Sequence, residues 1–130
     1  MKIRRTILAS ASLVLAIGAG GAATAHHSAA QFDFGNPVDV TGLVKYVRFA
    51  NPHARIILEV TDDARGTRDI EFEGHSRNNM VRQGLRPEMM VVGDTITIRI
   101  APMRNGEDGG YVTALLTADG EAIGNITSAD

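Results

Sequence analysis

The chain contains no cysteine and no tryptophan, and only 5% of its 130 residues are aromatic. Without cysteine there is no disulfide, no thiolate metal site and no thiol nucleophile, so an exported protein of this composition stands on its apolar core alone. Scarce aromatics leave no stacking platform for bases or sugars. Phosphate loop, dinucleotide fingerprint and haem-attachment motif are all missing. Ser28 and Ser76 each neighbour a histidine, but neither sits in a nucleophile elbow. Asp62, Asp63 and Asp69 lack the spacing of a calcium loop. Long apolar runs are missing as well. Ile7 to Ile17 is apolar and uncharged, but it is too short and too rich in Ala and Gly for a membrane span of about 20 residues.

That short run instead fits an export signal. Lys2, Arg4 and Arg5 form a positive start, and Ala23-Thr24-Ala25 is an A-x-A cleavage site. Residues 1–25 therefore read as a signal peptide, with the mature protein periplasmic or secreted. Arg4-Arg5 fits either a twin-arginine signal or an ordinary secretory one. Cleavage after Ala25 leaves 105 residues, one small domain. It removes three of the 13 basic residues and none of the 15 acidic ones, leaving a formal charge of −5. A domain of that sign lacks the basic footprint that nucleic acid or anionic lipid requires.

What is present is strand periodicity. Residues 26–37 read as an extended arm anchored by Phe32 and Phe34. Val38 to Phe49 alternates, with Gly42 marking a bulge or bend. Asn51-Pro52 is a turn. Ala54 to Thr61 and Arg68 to Glu73 are strands around a polar hairpin loop, with Ile70 and Phe72 facing inward. The period then changes. Ser76 caps a short helix carrying Met80, Val81 and Leu85 on one stripe, stopped by Gly84. Thr95 to Ala101 alternates strictly, with Ile96, Ile98 and Ile100 on one face. Arg104 to Gly110 reads as a mobile loop before a last strand, Tyr111 to Thr117. The order predicts a mostly β protein: an OB-like five-stranded small barrel or half-barrel with one short helix between strands 3 and 4. The barrel-like domain covers residues 38–118, and residues 119–130 read as a flexible tail.

Ala25-His26-His27-Ser28 at the cleavage junction, Asn51-Pro52-His53, the Gly93-Asp94 turn and the Gly109-Gly110 loop resemble a family of small exported bacterial proteins, domain of unknown function 6152. The resemblance covers the whole mature chain. It implies an exported small β-domain and carries over no catalytic residue. In that family an aromatic residue often flanks Asn-Pro-His. Here the flanks are Phe49-Ala50 and Ala54-Arg55.

Chemistry rests on four histidines, His26, His27, His53 and His75. Histidine nitrogen suits copper, zinc and nickel. An N-terminal His26 chelates through its amine and Nδ1, and His27 through its backbone nitrogen and imidazole. His53, in the turn at one end of the barrel, is the third ligand of the candidate site. The expected function is thus a non-enzymatic binding domain that takes copper, with zinc second, at His26, His27 and His53. The alternative is a metal-free protein or small-ligand interaction module of the periplasm. Asn51-Pro52-His53 also reads simply as a rigid turn whose histidine bonds a backbone carbonyl, and His75 as an exposed residue at the helix start. Met80, Met89, Met90 and Met103 fit core packing better than copper(I) ligation. Glu71 and Glu73 read as solvated charges. Arginines outnumber the single mature lysine, Lys45. Some are expected to pair with Glu59, Glu71 and Glu73 and others to line an anion or peptide groove.

Overall fold

The computed structural model describes residues 29–130. The signal-peptide reading, His26 and His27 lie outside the described residues. Five strands follow in the order β1 (Val38–Arg48), β2 (Ala54–Asp62), β3 (Gly66–Gly74), β4 (Thr95–Pro102) and β5 (Gly110–Leu116), with a two-residue β6 (Ala122–Ile123) outside β5. A helix, α1 (Arg77–Arg82), and a 3₁₀ turn (Pro87–Met89) lie between β3 and β4.

β1 is the centre of the sheet. It pairs antiparallel with β2 on one side and β4 on the other, and β5 then returns to β3 through the parallel pair Glu73–Tyr111. The cylinder is therefore closed, in the OB-like order that the sequence predicts. Alternation explains what fills it. Ile56, Leu58, Ile70, Phe72, Ile98, Ile100 and Val112 are all at most 6% exposed and line the interior. Fully burying each such side chain contributes about 1.5–3 kcal/mol.

Helix α1 closes one end of the barrel. Ser76 Oγ accepts from the Asn79 N–H, as an N-cap does. At the other end Leu85 N–H bonds Met80 O and Gly84 N–H bonds Val81 O, with Gly84 at φ +88°. This is the Schellman pattern, which brings residues Met80 and Leu85 together. Both are fully buried, whereas Val81 is 37% exposed. The expected three-residue stripe is thus two residues wide, because Val81 lies about 100° round the helix from Met80.

Four further expectations are corrected. The β1 irregularity falls at Lys45, between Val44 and Tyr46, and not at Gly42. Val44 also exchanges backbone bonds with the Gly93-Asp94 turn. Gly42 serves close approach instead, since a Cβ there would sit 2.7 Å from Glu59 O. The described part of the arm, residues 29–37, is a series of turns and not extended chain: the Asp33 carboxylate accepts from Gly35 N–H and Asn36 Nδ2. The loop read as mobile, Arg104 to Gly110, is tied down. Arg104 N–H bonds Gln31 O, and Asp108 pairs with Arg65 and Arg68. Residues 119–130 are no flexible tail. They include β6, and Ile126 is 5% exposed, with its N–H on Thr113 O.

Candidate functional site

The β2–β3 hairpin brings two histidines to one end of the barrel. Its register joins Ala54 to Gly74 and Arg55 to Glu73. One step further along, His53 and His75 stand opposite each other, with the Ala54 N–H bonded to His75 O.

Their ring nitrogens are used differently. His53 Nδ1 lies 3.0 Å from Glu73 Oε1. The carboxylate thus faces the Nδ1 edge of the ring. Nothing among the described residues bonds Nε2. The His53 side chain is 41% exposed. His75 has both nitrogens engaged. Its Nδ1 accepts from the Ser76 N–H at 2.7 Å, and its Nε2 donates to the Asp130 backbone oxygen at 3.1 Å. That ring also stands edge-on to Tyr111, 6.4 Å between centroids.

Beside Glu73 runs a cleft of about 250 Å³ between β3 and the β4–β5 loop, bordered by Gln31, Phe32, Glu71, Glu73, Met103 and Asp108. Arg55 takes Glu71 and holds its carboxyl below the usual range; Arg68, helped by Arg65, does the same for Asp108. Glu71 is thus paired with Arg55, as expected of some of the arginines, while its side chain stays 54% exposed. Under the cleft Tyr111 is packed by Phe32 and Phe34 at 5.3 and 5.5 Å. Its hydroxyl is buried with no hydrogen-bond partner among the described residues. Burial pushes this phenol far above its usual value, and the charges of Glu73 and Asp130 add to the shift.

Among the described residues no group of three or more His, Asp or Glu side chains converges as a metal site. The described part thus contributes one available imidazole, His53. Met80 and Met90 are in the core, Met89 is 37% exposed, and Met103 borders the cleft. Reading the chain did not single out Glu73 as the partner of His53. The signal was available: a hairpin centred on residue 64 sets Glu73 opposite Arg55, and so diagonal to His53, once its register is counted outward.

Geometry therefore defines a small closed β-barrel with a histidine–carboxylate pair at the rim and a helix plugging the same end. No helix described is long and apolar enough to cross a membrane. The chain belongs to the family of unknown function DUF6152, whose model matches residues 14–113. No curated protein matches it, and no solved structure does.

Proposed function

We propose that this protein is an exported, non-enzymatic copper-handling domain of the periplasm, its site made by His26, His27 and His53 after cleavage behind Ala25. The observation that supports this reading is the Glu73 carboxylate on His53 Nδ1. Histidine ligands commonly donate their second nitrogen to a carboxylate, which fixes the ring and makes the free nitrogen a better donor. Reach favours the same arrangement. Two peptide steps separate His27 from Ala29, about 7 Å when extended, and the turn that begins at Ala29 leads to Gln31, which borders the cleft that Glu73 also borders. Imidazole, amine and deprotonated amide nitrogen together suit copper(II) better than zinc.

Copper(II) titration of the chain beginning at His26, against the same chain with one alanine in front, tests the reading. The expected result is tight 1:1 binding that the added alanine weakens at least about a hundredfold, or about 2.7 kcal/mol. Equal, weak binding in both chains would overturn it.

A further inference from the structure

Cations are distributed unevenly over this acidic domain. Arg55, Arg65, Arg68, Arg99 and Arg104 each pair with a carboxylate, as does Lys45. Arg48, Arg77, Arg82 and Arg86 pair with none among the described residues. These four are also close in space or sequence. The Arg77 N–H bonds Ala50 O, two residues beyond Arg48, and Arg86 follows the turn that ends α1. Two of them, Arg77 and Arg82, line an open groove of about 380 Å³ along α1 together with Asn78 and Val81.

We infer that this groove docks an acidic segment of a partner protein. Charge complementarity names the partner. Guanidinium groups left without internal carboxylates are free to take external ones in planar, two-pronged contacts. The groove adds an amide at Asn78 and an apolar contact at Val81, which is 37% exposed. A shallow trough holding two cations, one amide and one apolar side chain matches an extended acidic peptide with an aliphatic residue among its carboxylates. Neither His53 nor Glu73 lines the groove, so its test does not require copper.

The test is titration of the ¹⁵N-labelled protein with a synthetic peptide of Asp, Glu and Leu, beside a Lys-for-acid control peptide and inorganic phosphate. Shifts confined to residues 48–50 and 77–86, weakened by salt and reduced about fivefold or more in R77Q/R82Q, are expected. Both side chains are exposed, and an unchanged amide spectrum of the unbound variant shows that it is folded. Three outcomes would overturn the inference: no shifts at millimolar peptide, shifts that R77Q/R82Q retains, or phosphate that binds as well as the peptide, which would reduce the groove to a simple anion site.

Discussion

His53 and His75 face each other across the open end of one hairpin, yet they are opposite cases. His75 is absorbed by the fold: one nitrogen takes the N–H that precedes α1, the other holds the backbone of the last residue, and the ring braces Tyr111. His53 is aligned by the fold without being used up. Glu73 orients it through Nδ1 and nothing described satisfies Nε2. Two residues of one type, a few ångströms apart, thus have different chemical reach, because availability depends on how many ring nitrogens the backbone has already claimed. Residue type and position near a turn do not distinguish them.

The comparison breaks most forcefully at Tyr111, which supports His75 from below. Tyr111→Ala empties a fully buried site under Phe32 and Phe34 and should cost about 3–5 kcal/mol in urea unfolding. Tyr111→Phe should do the reverse and stabilise by about 1 kcal/mol, since it removes a hydroxyl that is buried without a partner among the described residues. A loss with the phenylalanine variant would show that the hydroxyl has a partner in solution.

Next in size is the direct exchange of the two histidines' roles. His75→Ala leaves the Ser76 N–H without its acceptor and should cost about 1–3 kcal/mol. His53→Ala removes one half-exposed pair and should change stability by less than about 0.5 kcal/mol. Denaturant melts of both variants check this. Equal costs would return Asn51-Pro52-His53 to a purely structural turn.

The smallest effect concerns the clamp that holds β3, the strand carrying Glu73, against the β4–β5 loop. Arg68 lowers the carboxyl pKa values of Asp62 and Asp108 below the ordinary 3.8. Depressed carboxyls stabilise the fold above their unfolded pKa, near pH 4, and that contribution disappears as pH falls through the folded values. Arg68→Gln should therefore lower stability slightly at neutral pH and flatten the acid limb, so that the variant and the parent protein converge as pH falls below about 4. An identical acid profile would mean that the clamp contributes nothing.

Much of this architecture was legible because its cause is local. Ile96, Ile98 and Ile100 alternate within one strand, and Ser76, Met80 and Gly84 mark one short helix from start to stop. What escaped reading is held by distant partners. The Gly-rich loop has the composition of a mobile segment, but Asp108 meets an arginine 40 positions earlier. The tail is polar apart from a few residues, and Ile126 joins the apolar core where its N–H meets Thr113 O. The site divides in the same way. His53 could be named from its turn, while its carboxylate partner became apparent only when the two strands were laid side by side.

Closure of the barrel has a consequence for how this chain behaves among its own copies. A sheet with long unpaired margins invites other strands to add to it and seeds aggregation. Here β5 returns to β3, and the outermost strand, β6, is two residues long, too short to template another chain. Along the part of β3 that β5 does not reach, the outward residues Asp69 and Glu71 are charged, and Glu71 is already engaged by Arg55. Both margins therefore discourage growth by strand addition, and a domain with no disulfide to restrain it gains colloidal safety from topology and surface charge.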